Sequence, residues 1–387
     1  MVLKAFKLRL YPNKTQRNQI HVNFGCARFV WNQMLNMHIE RYKNNRKAKF
    51  QGRYSMDVML KALKIEYPWL KQAESTSLQR VNRDLDDAFQ RFFNPDLQNG
   101  FPRFKSKKNT NQSYTSKFVN NNIRIVDEHH IKLPKLGLVY FKAGRILNGK
   151  IRAVTIRVNS RKQYQASILV ESENQTFKKT KKSVGIDLGL KSLAITSDGQ
   201  KEDILKVDDR LNKQLRIWER KKSRRYENAK KAMAFDEHDK VLFPRTDLKQ
   251  FPRYQQAVRT VAKLKKHIAE RRRDNLHKLT TRLVKDYDTI VVENLSVKNM
   301  MKNHHLSASI ANASWGTLIS QLKYKCAWYG KQLIIIDPKN TSRICHECKQ
   351  KNHEFDSLSQ SEWLAAREWD CPNCHAHLDR DVNAAKN

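Results

Sequence analysis

No stretch of this chain approaches the roughly 18 consecutive apolar residues that a membrane-spanning helix needs, and no membrane partner is expected. The first residues lack the pattern of a secretory signal. MVLKAFKLRLYP alternates apolar and basic side chains, which is the pattern of a half-buried strand. Negative charge is scarce: 38 Asp and Glu stand against 76 Lys and Arg, a formal net charge of +38 over 387 residues. Charge that lopsided repels itself in a compact fold and becomes tolerable when a polyanion neutralises it, usually through phosphate contacts. Nucleic acid is therefore the expected partner, with an anionic membrane surface as the rival. The length suits two or three domains, and the expected setting is soluble and cytoplasmic. No clear internal repeat is present.

Cysteine is used sparingly. Six occur, and four of them form CHEC (Cys345, Cys348) and CPNC (Cys371, Cys374). Two C-x₂-C couplets about 22 residues apart suit one structural Zn²⁺ held tetrahedrally; paired redox couplets are the alternative. His346, His353, His375 and His377 crowd the same region, but four thiolates already complete a tetrahedral shell. Cys26 and Cys326 fall in helical apolar patterns and read as small core residues.

Hydrophobic period organises the rest. Phe6, Leu8 and Leu10 define a strand that Pro12 ends, and Thr15 opens a helix carrying Ile20, Phe24, Val30, Trp31 and Met34. Helical spacing recurs over 56–63 and over 77–93, where Leu78, Val81, Leu85, Phe89 and Phe92 form one face and Gln79, Arg80, Asn82 and Arg83 the other. Residues 99–118 are basic, aromatic and rich in turn formers, and read as an ordered loop that touches phosphates; a solvated linker is the alternative. From about 118 to 171 the period falls to two (Ile123/Ile125, Leu138/Tyr140, Val154/Ile156/Val158), predicting a small antiparallel barrel or sheet that the first strand joins. FKKTKKS (177–183) marks a boundary. A hairpin follows over 184–196, then mostly helix from 205 to 286 with a looser middle near 234–249, a strand over 289–293, a helix over 314–330 and a strand over 332–337.

Three carboxylates stand in distinctive surroundings. Asp187 follows Val184–Ile186 between Gly185 and Gly189, glycines that permit close approach of a ligand. Glu293 ends the run TIVVE, an unusual place for a charge. Asp381 opens DRDVNAAKN, where Asp379 competes for the same role and a helix N-cap is the plainer reading. Hard divalent cations prefer oxygen ligands, and phosphodiester hydrolysis often uses two of them. An acid on a first strand, one at a later strand end and one at a helix start have the order of a ribonuclease-H-like nuclease core.

FKLRLYPNKTQ, LQRVNRDLDDAFQRFF, FPRFKSKK, GIDLGLK, VENLSVKNM, DPKNTSRIC, CPNC and DRDVNAAKN together resemble TnpB, the OrfB-type proteins of small bacterial insertion sequences, which are related to the miniature type V CRISPR effectors. The resemblance covers nearly the whole chain. It implies a multidomain α/β plus β architecture: a wedge-like β-barrel (1–12 and 99–178), a helical recognition insertion (13–98), and a RuvC-like nuclease domain (183–387) with an inserted zinc ribbon at about 340–378. It implies an RNA-guided DNA endonuclease with a guide RNA from the element's own end, a double-stranded DNA target, and a short adjacent motif read by the N-terminal half. One protein copy per RNA is expected. The family's catalytic acids carry over to Asp187, Glu293 and Asp381, holding two Mg²⁺ ions. The zinc ligands carry over to Cys345, Cys348, Cys371 and Cys374. Gln79, Arg80 and Asn82 are candidates for reading the motif, and Arg103, Lys105 and Lys107 for phosphate contact. Three departures stand out: a long span between the couplets, holding DSLSQSEWLAAREW (356–369), His375 where glycine is usual, and a final helix too short to be stable alone.

Rival functions remain at this level. A nuclease-dead, RNA-guided repressor would lose catalytic acids, and all three are present. A transposase acting by single-strand transfer would carry a His-hydrophobe-His set and a tyrosine nucleophile, which the sequence does not show. A CRISPR effector is not separable on the protein alone.

Overall fold

The structure is a computed structural model that describes residues 1–387 except 110, 143, 145–146, 160–161, 175, 204–208, 233–247, 249, 359–361 and 363–365. The chain divides into two compact units, Met1–Glu173 and Asn174–Asn387.

In the first unit, strand β1 (Val2–Tyr11) leads into helix α1 (Lys14–Asn44) through a capping box. Asn13 Oδ1 accepts the Gln16 amide at 2.8 Å and Gln16 Oε1 accepts the Asn13 amide at 3.0 Å, satisfying two donors that a helix start leaves unpaired. Asn13 is thus the cap, two residues before Thr15. Helices α2 (Arg53–Glu66) and α3 (Ser75–Phe93) follow. Six further strands complete an antiparallel sheet: β2 (Gln112–Lys117), β3 (Arg124–Ile125), β4 (His130–Leu133), β5 (Gly137–Lys142), β6 (Lys150–Val158) and β7 (Tyr164–Ser172). The order is β2-β6-β7-β1-β5-β4-β3, so β1 pairs with β7 from Val2–Ser172 to Leu10–Tyr164 and with β5 on its other side. Among the described residues the end strands β2 and β3 are not bonded to each other; this is a sheet with two edges. One core joins helices and sheet, with Ile20, Met34, Leu78 and Leu85 packed in the same cluster as Val139, Phe141 and Ile168. On β5 the buried face is Val139 and Phe141, while Leu138 and Tyr140 are exposed. Both faces of that strand are apolar, so alternation alone does not choose between them.

The second unit is built on a mixed sheet. Strands β8 (Ser183–Asp187), β9 (Ser192–Thr196) and β10 (Lys201–Asp203) run antiparallel in succession. Helices α4 (Asp209–Lys231) and α5 (Pro252–Asp286) intervene, and the looser middle expected near 234–249 lies almost wholly outside the described residues. Strand β11 (Thr289–Glu293) then pairs in parallel with β8, and β12 (Gln332–Ile336) in parallel with β11, giving the order β10-β9-β8-β11-β12. Between β11 and β12 come α6 (Val297–Met300), α7 (Ser307–Ala313) and α8 (Trp315–Tyr329). Leu276, Leu279 and Leu283 of α5 and Leu318 and Leu322 of α8 bury the sheet residues Val184, Ile186, Ile290 and Val292. The chain continues into a small cysteine-bearing lobe, whose ribbon is β13 (Glu368–Asp370) paired with β14 (His377–Asp379), and then helix α9 (Arg380–Lys386).

Among the described residues, no helix is long and apolar enough to cross a membrane.

Candidate active site

Parallel pairing sets two of the acids side by side. Ile186 is in register with Val292, so Asp187 and Glu293 stand next to one another at the carboxyl ends of adjacent strands. Helix α9 lies across β8 so closely that a Cβ on Gly185 would overlap the Ala385 carbonyl. The glycine is needed for this approach. Its backbone meets the protein's own helix, and not a ligand as the sequence suggested.

The same helix carries Asp381. Burial, then the charges of Glu293 and Asp381, push the Asp187 carboxyl up to about 7, with the Arg380 guanidinium opposing them. Glu293 is 7% exposed and is also raised by burial, against which a hydrogen bond from Thr341 works. The cap of α9 is Asp379, not Asp381: its Oδ1 accepts the Asp381 and Val382 amides at 3.0 Å each. Its Oδ2 pairs with Lys201 at 2.8 Å. Burial alone would raise Asp379, yet the Lys201 ammonium and these amides hold it below its ordinary value. Asp381 is left free of capping duty, with Oδ2 bound by Arg367 at 2.9 Å and Oδ1 by Arg380 at 2.8 Å.

The cysteines form the second cluster. Cys345, Cys348, Cys371 and Cys374 have all four sulfurs within 4.8 Å of one another, the one such group of potential metal ligands among the described residues. Cys345 Sγ lies 3.7 Å from Cys374 Sγ, and Cys348 Sγ 3.6 Å from Cys371 Sγ. Four sulfurs at about 2.3 Å from a central ion are about 3.8 Å apart, so the donor set fits tetrahedral zinc. The Gln350 amide and the Asn373 side chain hold the Cys348 thiol down to about 6, favouring thiolate. None of the four nearby histidines belongs to the cluster. His375 has φ +57°, the left-handed region that glycine occupies without strain. Phe355 and Trp369, from the long span between the couplets, pack edge to face at 5.2 Å beneath the lobe. A short 3₁₀ turn at His353–Asp356 precedes the 356–369 stretch, and most of 359–365 lies outside the described residues.

The expected nucleic-acid contacts divide. Gln79 is exposed, and Arg80 is half-buried and pairs with Asp84 at 2.7 Å. Asn82 is fully buried, with Nδ2 donating to Asp57 Oδ1 at 2.7 Å, so it presents nothing to a base. Positions 78, 81, 82, 85 and 89 form one buried helical stripe, so Asn82 belongs to the core face and not to the polar face expected from the sequence. Arg103, Lys105 and Lys107 are exposed on a loop pinned to α1. Trp31 Nε1 donates to the Arg103 carbonyl at 2.9 Å, Asn32 exchanges two bonds with the Lys105 backbone, and the Lys105 ammonium lies 3.6 Å from the Trp31 ring centre. Residues missed from sequence are those that hold the acids: Thr341, Arg367, Arg380 and Asn383. Thr341, Arg380 and Asn383 lie inside motifs already singled out, which was the available signal.

Over its whole length the chain is 32% identical to a protein of Streptomyces pristinaespiralis named for RNA-guided DNA endonuclease activity, and it spans 88% of that relative. The chain belongs to the OrfB (TnpB) family. InsQ of Escherichia coli K12, named for the same activity, is 30% identical over this entire TnpB-family chain and 91% of its own length. Family models agree segment by segment: "Helix-turn-helix domain" at 1–47, "Probable transposase" at 167–304, and "Cas12f1-like, TNB domain" at 315–387. In this TnpB-family member the first span is strand β1 and helix α1. A solved Cas12f1–sgRNA–target DNA complex aligns over 100% of this chain and 98% of its own at 13% identity, with a TM-score of 0.35.

Proposed function

We propose that the chain is an RNA-guided DNA endonuclease with a RuvC-like catalytic site formed by Asp187, Glu293 and Asp381. The carrying observation is geometric: parallel register sets the half-buried Asp187 beside Glu293, and the helix that carries Asp381 packs directly on Gly185 of the same strand, with the Asp187 carboxyl raised in keeping. The strand order β10-β9-β8-β11-β12, with three antiparallel strands followed by two parallel ones, supports a ribonuclease-H-like core over 183–387. In this reading 340–378 is its zinc ribbon, 1–12 with 99–178 the wedge, and 13–98 the recognition insertion.

All-oxygen donors of this kind suit two Mg²⁺ ions, which when bound supply Lewis-acid activation of water and stabilisation of the leaving 3′ oxygen. The residues of the chain do the positioning. Strands β8 and β11 hold Asp187 and Glu293 in parallel register, and Asp379 caps α9, the helix that carries Asp381. Guide RNA pairing selects the sequence, and the basic surface grips backbone and heteroduplex shape. Gln79 and Arg80 read the adjacent motif, and Arg103, Lys105 and Lys107 meet phosphates. One copy of the protein acts on each RNA in the bacterial cytoplasm.

The test is direct. The protein, assembled with RNA from the end of its element, should cut matching DNA in Mg²⁺. Alanine at Asp187, Glu293 or Asp381 should lower the rate by roughly 10²–10³-fold or more while DNA binding persists. Undiminished cutting by any of the three sinks the assignment.

A further inference from the structure

We propose that the root of the zinc knuckle is a built part of the divalent-cation pocket, with Thr341 and Asn383 as positioning residues that couple zinc binding to cation binding. This rests on the reading of Asp187, Glu293 and Asp381 as cation ligands. Two independent sets of bonds carry it.

The first runs to Glu293. Thr341 follows β12 on the way to the knuckle, and its hydroxyl donates to Glu293 Oε1 at 2.6 Å. This fixes one carboxylate oxygen of Glu293.

The second runs to the helix of Asp381. Asn383 is 1% exposed and spends both ends of its amide on the knuckle. Its Nδ2 donates to the Ile344 carbonyl at 2.7 Å, and its Oδ1 accepts the His346 amide at 2.8 Å. Ile344 and His346 flank Cys345, the fully buried zinc-ligand candidate. Asn387 adds bonds from its Nδ2 to the Thr341 and Ile344 carbonyls at 2.9 and 2.6 Å. Helix α9 has seven residues, too few to persist alone. Its order derives from these bonds, its Asp379 cap and its contact with Gly185.

The chain of cause is short. Cys345, as a zinc ligand, would hold the backbone of 344–346 in place. That backbone holds Asn383, and Asn383 holds α9, the helix that carries Asp381. Ligand-orienting hydrogen bonds of this kind typically govern metal affinity by roughly 10–100-fold, and the coupling is reciprocal between the two sites.

The experiment titrates Mn²⁺ into the full-length, zinc-loaded chain and follows free Mn²⁺ by electron paramagnetic resonance, with zinc per chain measured in parallel. The Mg²⁺ dependence of cutting is then measured with the guide-RNA complex. Thr341→Val and Asn383→Ala should retain one zinc per chain, bind Mn²⁺ roughly 10–100-fold more weakly and need correspondingly more Mg²⁺. Thr341→Ser should restore both. Stripping zinc should weaken Mn²⁺ binding in the wild type and add little in Asn383→Ala, because the link is already cut. Should Asn383→Ala fail to keep its zinc, the near-isosteric Thr341→Val decides. Wild-type Mn²⁺ affinity in Thr341→Val, or an equal effect of zinc removal in both proteins, overturns the inference while the acids stand. Undiminished Mn²⁺ binding by Asp187→Ala instead overturns the reading of the acids.

Discussion

With its carboxyl raised to about 7, Asp187 is half protonated near neutrality, where an ordinary aspartate is fully ionised. Cation binding needs the ionised form, so protons compete. Apparent Mg²⁺ affinity should climb between roughly pH 6 and 8, by at most about tenfold per unit, and level off above. A titration at several pH values checks this, and a flat profile refutes it. Stability has the opposite sign. A folded-state carboxyl above its unfolded value contributes less as pH rises from about 4 to 7, so without divalent cation the melting temperature should fall over that window. Mg²⁺ should reverse the loss by binding the ionised native state. The second residue-scale expectation concerns His375. Its φ of +57° costs an L-residue roughly 1–2 kcal/mol, so His375→Gly should stabilise the cysteine lobe by about 1 kcal/mol, read as a higher melting temperature with zinc content unchanged. Asp187 and Glu293 were legible because each ends an apolar strand with a charge. Asp379 and Asp381 were not separable by spacing alone; the bonds that make Asp379 the cap exist only in three dimensions.

Strand β8 and helix α9 touch through Gly185, and that contact has no side chain to soften it. Gly185→Ala should force the helix away at a cost of roughly 1–3 kcal/mol. Cutting should fall far more than stability, since Asp381 moves with the helix. A folded variant that cuts at the wild-type rate would refute this. Elements with strong periodicity were read well from sequence: α3 begins at Ser75 where the pattern suggested 77, and α8 spans Trp315–Tyr329 against an expected 314–330. Strand faces were harder. On β5 the apolar run Leu138–Phe141 offers two equivalent sides, and only pairing with β1 and packing under α1 select one.

At the scale of the molecule, 76 basic residues against 38 acidic ones make association with nucleic acid strongly salt-dependent. If six to ten phosphates are neutralised, affinity should drop by roughly 10³–10⁵ between 50 and 200 mM salt. Alanine at Arg103, Lys105 or Lys107 should each lower the salt slope by about 1; an unchanged slope would remove that loop from the interface. The pinning of this loop by Trp31 and Asn32 was not legible, because the partners lie some 70 residues away. Distance along the chain has a second effect in the other unit. Strand β8 finds its parallel neighbour β11 about a hundred residues later, after two long helices have formed. Such remote pairing is slow compared with local folding. A newly made copy therefore passes through an interval in which its helices exist but its scissors do not, and nothing in the cell is cut until the two strands meet.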